Sequence, residues 1–554
     1  MDENIGSLLE AVTDQVIARD PHRVAVVQGE RERTWADLDQ RASALAGHLS
    51  AAGVTVGGRV GIGLYNSIEY IESLLAIFKL RATPVNVNYR YQESELEQIL
   101  RYTDASAVIL DSNLRARLLA VASRLESLRA LVSAGVDTGE PAQVDGQAVV
   151  GFEEAASAAP LPRQRRSSSD QIIILTGGTT GRPKGVVWDH AGVSSVVSSV
   201  YRRNGLSVPA NRDELLDIAR TAMDTGRAPV MLPVSPLMHG TGFFFGLGNL
   251  LLGGRIACLV NRSLDPAEVW TAVERHRVRE MAIVGDAFGR PLMDELDRAQ
   301  AAGSPYDIHS LERVVSSGVL WSADVKHRFL EAGRITLQDS IASTEGGPYG
   351  ISMVGPGGGL VSPRFTLPSN ARVIGPDGRD VRPGSGEVGE LASSGNLPLE
   401  YLDDPERTVK VFRMIEGVRY AVPGDMATVE ADGTLTFLGR GSGVINTGGE
   451  KVFAEEVEEA LLEHPAVAEA VVVGVADERW GSRVTALVRP ALGQRPTAME
   501  LSTHVGGLLA GYKRPRQIFF LTTIERTVSG KVNRRWAQER ARQLAAEVEP
   551  RDHL

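Results

Sequence analysis

The segment Leu175-Thr176-Gly177-Gly178-Thr179-Thr180-Gly181-Arg182-Pro183-Lys184-Gly185 carries the clearest chemistry in the chain. It continues an apolar run, Gln171-Ile172-Ile173-Ile174-Leu175, that reads as a buried strand. Closely spaced glycines let backbone N–H groups approach phosphate oxygens. Thr176, Thr179 and Thr180 add hydroxyl donors, and Lys184 adds positive charge. The pattern is not a Walker A loop, which needs Gly-Lys-Ser/Thr where this chain has Arg182-Pro183-Lys184-Gly185. On composition alone a plain flexible loop is the competing reading.

Other reactive side chains are ordinary when taken singly. His239 alone reads as a satisfied structural histidine, Glu345 as a surface carboxylate and Lys531 as a solvated lysine on a turn. Cys258 is the one cysteine and lies in the apolar run 255–260, so it reads as a small core residue. A single cysteine allows no intrachain disulfide, which fits a reducing compartment. Gly384-Ser385-Gly386-Glu387-Val388-Gly389 matches a dinucleotide fingerprint by letter, but it follows Arg382-Pro383 and reads as a turn. There is no Gly-x-Ser-x-Gly elbow and no His-Glu-x-x-His helix.

The elements that must position these residues fill 554 positions, too many for one hydrophobic core, so two or more domains are expected. The net charge of −10 argues against nucleic acid as a partner. The N-terminus has no signal-peptide pattern and no stretch reaches the ~18 apolar residues of a membrane span, so a cytoplasmic protein without an integral membrane segment is expected. The basic run Arg163, Arg165 and Arg166 reads as a solvated linker within a flexible connection at 159–170. Strand-like stretches at 59–64, 84–88 and 107–110 alternate with helical ones at 68–81 and 93–102, which predicts parallel sheet layers. Residues 201–230 read as a polar surface insertion, and α/β alternation resumes from 234 to 345. Past 350, glycine and proline become frequent and short alternating segments predict a β-rich subdomain. Gly439-Arg440-Gly441-Ser442-Gly443 is a hinge candidate. A compact α/β unit follows, with helices at 455–462 and 498–511 and strands at 468–475, 484–489 and 517–521.

The ordered set of motifs resembles the adenylate-forming superfamily of acyl-CoA synthetases, nonribosomal adenylation domains and luciferases, over roughly residues 15 to 540. The glycine-rich segment is similar to the family phosphate loop, with Gly177 at a position usually held by serine. Ser235-Pro236-Leu237-Met238-His239-Gly240 resembles the segment whose histidine gates the acyl pocket. Ser343-Thr344-Glu345 resembles the Thr-Glu pair, preceded here by Ile341-Ala342 in place of an aromatic-glycine pair. Tyr420-Ala421-Val422-Pro423-Gly424-Asp425 and Phe437-Leu438-Gly439-Arg440 resemble the ribose-binding motifs. Asn446-Thr447-Gly448-Gly449-Glu450-Lys451 resembles the loop lining the pantetheine tunnel, and Arg526-Thr527-Val528-Ser529-Gly530-Lys531 the catalytic-lysine motif. The stretches 66–70, 85–91 and 284–288 look most like actinobacterial fatty-acyl and steroid-side-chain CoA ligases.

The resemblance implies an α/β protein with a large N-terminal domain of layered sheets and a β-rich subdomain (1–439), a hinge (440–443) and a small mobile C-terminal α+β domain (444–554). It implies ATP- and Mg²⁺-dependent conversion of a small-molecule carboxylic acid to an acyl-adenylate, followed by transfer to coenzyme A. In that reading Thr176, Gly177, Gly178, Thr179, Thr180, Gly181 and Lys184 hold phosphates. Thr344 contacts the α-phosphate and Glu345 ligates Mg²⁺. Ser317, Gly318, Asp339, Asp425 and Arg440 hold the nucleotide. Lys531 bridges the carboxylate and α-phosphate, and rotation about Ser442 then replaces it with Gly448, Gly449 and Lys451. The acyl pocket is expected from Met238, His239, Phe243, Phe244, Phe245, Gly285, Gly318 and Ile341, an apolar lining with no cation for a second carboxylate. The competing readings are an adenylate former with a different acceptor (an amine, a carrier-protein thiol or nitrite) and a non-catalytic binding homologue. A homodimer is the one assembly entertained.

Overall fold

The computed structural model of the chain describes residues 3–135, 143–144, 147–176, 184–318, 323–357, 364–440, 444–525 and 534–548. Two large sheets sandwich a layer of helices. The first runs in the order Gly346–Val354, Thr336–Ser343, Arg313–Ser317, Glu280–Ile283, Val230–Pro233, Arg255–Cys258, Val24–Gln28, Arg31–Thr34. It is parallel between its two antiparallel edges. The second is centred on Gln171–Thr176, Thr83–Asn86, Arg59–Gly63 and Ala105–Asp111, also parallel. The expected alternation of strands and helices therefore becomes parallel layers, because parallel neighbours need helical crossovers.

The helix Ile68–Leu80 shows why the sandwich forms. Ser67 caps its start by accepting from the Tyr70 N–H, and Arg81 ends it in the left-handed conformation at φ 59°. Nearly every side chain is buried, on both faces, so the helix fits only between two sheets. Its charges are neutralised in place: Glu72 accepts from Arg33 and Arg41, and Lys79 sits against Asp39 and Glu10. The same core takes Ile62, Ile109 and Ile174 from the second sheet and Val26, Ile256 and Cys258 from the first. Burial of each such side chain contributes roughly 1.5–3 kcal/mol. Cys258 is an interior residue whose thiol burial pushes well above its ordinary range.

The third sheet is antiparallel, built from Arg364–Phe365, Leu435–Arg440, Asp425–Val429, Gly389–Ser394, Val418–Ala421, Phe412–Ile415 and Ala371–Ile374. This is the β-rich region expected past 350. The fourth sheet draws only on residues beyond 443: Glu450–Phe453, Val444–Thr447, Gly481–Pro490, Val467–Asp477 and Gln517–Phe520. Helices Ala454–Leu462 and Ala498–Leu508 cover one of its faces and Arg534–Val548 the other. Residues 441–443 of the expected hinge lie outside the described residues.

One sequence expectation is overturned here and another is refined. The 159–170 connection is anchored, not loose: Arg166 is buried, pairs with Glu10 at 2.9 Å and donates to the Phe78 carbonyl, while Arg163 pairs with Asp14. A basic run looks solvated until its carboxylate partners, more than 140 positions away, are brought beside it. Residues 201–230 lie mostly at the surface, as expected, but are anchored from below. Tyr201 and Leu215 are fully buried, and Arg203 enters the interior.

Candidate active site

The expected phosphate loop joins two strands that pair with each other. Strands Gln171–Thr176 and Lys184–Asp189 pair antiparallel, with Thr176 opposite Lys184. Gly177, Gly178, Thr179, Thr180 and Gly181 lie outside the described residues, but the ladder fixes both ends of the segment that holds them. Lys184 is half-buried, and that burial, with Arg407 close by, lowers its pKa to about 8.

Glu345 is held beside this hairpin. It is buried, and its Oε1 accepts from the Tyr401 hydroxyl at 2.5 Å. Tyr401 belongs to Glu400–Tyr401, the strand that pairs with Lys184–Asp189, so hairpin and carboxylate are tied through one edge strand. Trp188, on the same hairpin strand, donates from Nε1 to the Thr344 carbonyl at 3.1 Å. The Glu345 N–H donates to Ser343 Oγ. Thr344 and Glu345 therefore stand at the C-terminal end of their strand, where parallel sheets place ligands. Ser317 and Gly318 stand at the end of the neighbouring strand, with Gly318 at φ 97°.

Asp425 starts its strand in direct register with Arg440 across the ladder. The two residues expected at the ribose are thus brought side by side by backbone pairing. Asp339 is different: its Oδ2 is buried against Lys326 Nζ at 2.7 Å, and burial pushes the carboxyl upward. Its Oδ1 is also buried and makes no hydrogen bond among the described residues. The structure therefore gives Asp339 a structural partner that sequence reasoning did not foresee, and leaves one acceptor position.

His239 precedes the helix Gly240–Leu251, and its Nε2 lies 3.2 Å from Glu450 Oε2. Glu450 belongs to the fourth sheet, so the glycine loop of the C-terminal unit is seated on the N-terminal part of the chain. Gly448 (φ 57°) and Gly449 (φ 84°) make this seat possible. A Cβ on Gly449 would meet Val284 at 2.6 Å, and one on Gly448 would meet Trp480 at 2.7 Å. Around the loop, Arg90 reaches Glu450 at 3.3 Å and Asn88 meets the Tyr512 hydroxyl. Lys513 is buried between Glu95 (2.9 Å) and Glu456 (2.7 Å). Burial alone would raise the Glu450 carboxyl, but His239, Arg90 and Lys513 outweigh it and hold it below the usual range. Lys451 is beside Glu450 in the same strand. Lys531 lies outside the described residues.

The acyl-pocket expectation is corrected in part. Phe243 packs in the central core, Met238 against the second sheet, and Ile341 in the β-rich core with Tyr349 and Phe365. Phe245 of the aromatic run packs against Met231, Ala282 and Val315 of the first sheet. Arg203, which the sequence reading did not single out, stacks on Phe245 with 4.4 Å from its guanidinium carbon to the ring centroid, so a cation lies beside one of the residues expected to line the pocket. Tyr401, Trp188, Arg90, Glu450 and Arg203 carry no motif of their own. The available signals were Glu450's place beside Gly448-Gly449 and Arg90's within 85–91.

This set of groups fits a nucleotide and a hard cation. A strand connection with a lysine at its end, a buried carboxylate and an unfilled buried acceptor suit phosphate, metal and an amino-bearing base respectively. Mg²⁺ is usually bound through one or two carboxylates with phosphates and water, and Glu345 is the carboxylate that would serve here.

A layered α/β body with a docked C-terminal unit at its strand ends defines the class, and the comparisons place the chain within it. The AMP-binding enzyme family matches residues 13–399, and the AMP-binding enzyme C-terminal domain matches 456–531. The chain belongs to the AMP-binding enzyme family. It is 41% identical to a 3-oxocholest-4-en-26-oate–CoA ligase of Rhodococcus rhodochrous, over 97% of this chain and 95% of that one. It is 37% identical to a medium/long-chain-fatty-acid–CoA/3-oxocholest-4-en-26-oate–CoA ligase of Mycolicibacterium smegmatis, over 100% and 98%. An amide bond synthetase of Marinactinospora thermotolerans shares the fold, with TM-score 0.77 at 23% identity over 96% and 99%. Among the described residues no helix is long and apolar enough to cross a membrane.

Proposed function

We propose that the chain is an AMP-forming acid–thiol ligase that activates steroid and fatty acids and transfers them to CoA. The observation that carries this reading is the Gly448-Gly449-Glu450 loop seated on His239 and Val284, at the strand ends that also hold Thr344 and Glu345. A carboxylate oxygen is a poor leaving group. Attack of the carboxylate on the α-phosphorus of ATP makes a mixed anhydride and expels pyrophosphate; attack of the CoA thiolate on its carbonyl carbon then expels AMP. Such chemistry needs positioning and charge stabilisation more than covalent help from the protein.

In this reading the 176–184 connection and Lys184 bind the β- and γ-phosphates. Glu345, oriented by Tyr401, holds Mg²⁺, which when bound would screen the phosphate charge. Asp425 accepts from the ribose hydroxyls and Asp339 Oδ1 from the base. Lys531 serves the first half-reaction. The loop 448–451 serves the second, with residues 444–554 moving as a lid about 440–443. His239 at the loop contact gates the acyl channel. A thiol acceptor is favoured over an amine by the CoA ligases among the relatives, since the amide synthetase likeness extends only to the fold.

The test is pyrophosphate release from ATP across a panel of acids, with and without CoA. Acid-dependent release, with acyl-CoA appearing only when CoA is present, is the expected result. Acid-independent release, or AMP formation without acyl-CoA in its presence, would overturn the reading.

A further inference from the structure

Strand register defines a wall facing the helix Gly240–Leu251. Met231 pairs with Glu280, which pairs with Arg313, and Pro233 pairs with Ala282, which pairs with Val315. Side chains paired across parallel strands share a face, so Met231, Glu280, Ala282, Arg313, Val315 and Ser317 look the same way. That face packs Phe245, whereas Leu232, Met281, Ile283 and Val314 look the other way, toward Trp270 and Phe329. At the C-terminal end of the wall stand Ser317, Gly318 and, at the start of the helix, His239. At its other end stands a buried charge cluster. From Arg313 to Ser317 is four strand steps, roughly 13 Å.

The cluster is unbalanced. Arg203 and Arg313 share one carboxylate, Glu280: Arg203 approaches it at 2.8 Å and Arg313 donates to it at 3.1 Å. Arg313 also donates to the Arg203 carbonyl. Side-chain exposures of 5%, 6% and 18% for Arg203, Glu280 and Arg313 put all three in the interior. No other carboxylate bears on Arg203, whose charged form burial disfavours and Arg313 opposes. One positive charge is therefore left over: Arg313 Nε is buried and donates to no atom among the described residues, no hydrogen bond from Arg203 Nη1 occurs among them, and Glu280 Oε1, 2.8 Å from Arg203 Nη2, accepts none there. A buried surplus cation with unused donors is costly unless something supplies an acceptor. Phe245, on whose face Arg203 lies, is only partly covered although it sits between helix and sheet.

We propose that Arg203, with Arg313 beside it, binds an oxygen acceptor at the end of the acid remote from its reacting carboxylate. The inference rests on the acid-activating reading and narrows its substrate class to long, mainly apolar acids that end in a carbonyl or carboxylate oxygen. Of the wall between, Ala282 and Val315 are covered by Phe245, whose own partly open face suits the apolar middle. The interaction is one of binding, with Arg203 N–H donating to the distal oxygen and no bond made or broken.

The experiment compares kcat/KM for dodecanoic, 11-oxododecanoic and dodecanedioic acids by pyrophosphate release, in the wild type, Arg203→Met and Arg203→Lys. Arg203→Met leaves Glu280 paired with Arg313, a balanced pair that the fold can keep, and a ratio of rates does not depend on the amount of folded enzyme. The wild type should prefer an oxygen-ended acid. Arg203→Met should cut that preference about 10- to 100-fold, as loss of a hydrogen bond from a charged donor does, and Arg203→Lys should keep part of it. Preference for the oxo acid identifies a ketone as the acceptor; preference for the diacid identifies a second carboxylate. An equal fall for all three acids marks Arg203 as structural only and overturns the proposal, as does a wild type indifferent to the terminal oxygen. Release with none of the acids tried, steroid acids included, would instead sink the acid-activating reading, and the inference with it.

Discussion

The nucleotide side and the lid side of the site are built on opposite plans. On the nucleotide side, charges are collected but only partly spent: Lys184 with a pKa lowered to about 8, and Asp339 with a buried Oδ1 that makes no hydrogen bond among the described residues. On the lid side, charges neutralise one another: Lys513 between Glu95 and Glu456, and Glu450 between His239 and Arg90. The first plan leaves binding capacity for a ligand. The second spends it on holding the C-terminal unit in one orientation. Buried ion pairs give little net stability but strongly disfavour arrangements that separate them, so they suit an interface that must find a single register.

If the lid serves both half-reactions, the largest effect belongs to the lysine assigned to the first of them. Lys531→Ala should lower acid-dependent pyrophosphate release by on the order of 10²–10³, while thioester formation from a supplied acyl-adenylate changes by less than about threefold. Single-turnover measurement of each half-reaction separates the two, and equal losses would break the comparison. Next in size is Gly449→Ala. Its Cβ would sit 2.6 Å from Val284 at φ 84°, so the loop could not seat. The thioester step should fall about tenfold or more, with adenylation nearly intact. A smaller effect is expected for Glu95→Gln, which keeps Lys513 paired with Glu456 and removes only the charge that crosses the interface. About 1 kcal/mol of lid preference, roughly fivefold in the thioester step, should be lost. No change there would mean that Lys513 serves the C-terminal unit alone.

The two plans also differ in how far the sequence shows them. Strand and helix periods near 59–64, 68–81 and 93–102 predict elements seen at Arg59–Gly63, Ile68–Leu80 and Glu93–Tyr102, because burial on one face or all round leaves a local pattern. The glycine loops are legible for a related reason: positive φ at Gly448 and Gly449 demands glycine at those positions. Ion pairs leave no such trace. Glu95 and Lys513 are 418 positions apart, and Arg203 and Glu280 are 77 apart, so nothing in either neighbourhood announces the pairing. The same blindness made 159–170 look loose and hid the inward reach of Arg203 from the mostly exposed 201–230 segment. Phe243, Phe244 and Phe245 looked interchangeable as pocket lining, yet helical rotation sends Phe243 into the core and Phe245 to the sheet.

The gentlest test of the contrast is titration, because a group poised for a ligand and a group locked in a pair respond differently to pH. Partial burial, with Arg407 nearby, lowers Lys184 to about 8, so the free enzyme carries the full charge well below that pH and loses it as pH rises through that value. The pH dependence of kcat/KM for ATP reports ionisations of the free enzyme. It should therefore decline above about pH 8 as the phosphate-binding charge disappears. Lys184→Arg places a guanidinium that stays charged throughout, so the alkaline limb should move upward even though a planar fork replaces lysine's compact ammonium. Lys513 is the control from the other plan: its two carboxylate partners outweigh burial and hold its ammonium charged far above this window, so the lid's orientation should be indifferent to pH between about 7 and 9. An alkaline limb that survives Lys184→Arg unmoved would assign it to another group and remove the clearest sign that the nucleotide side is held ready for phosphate.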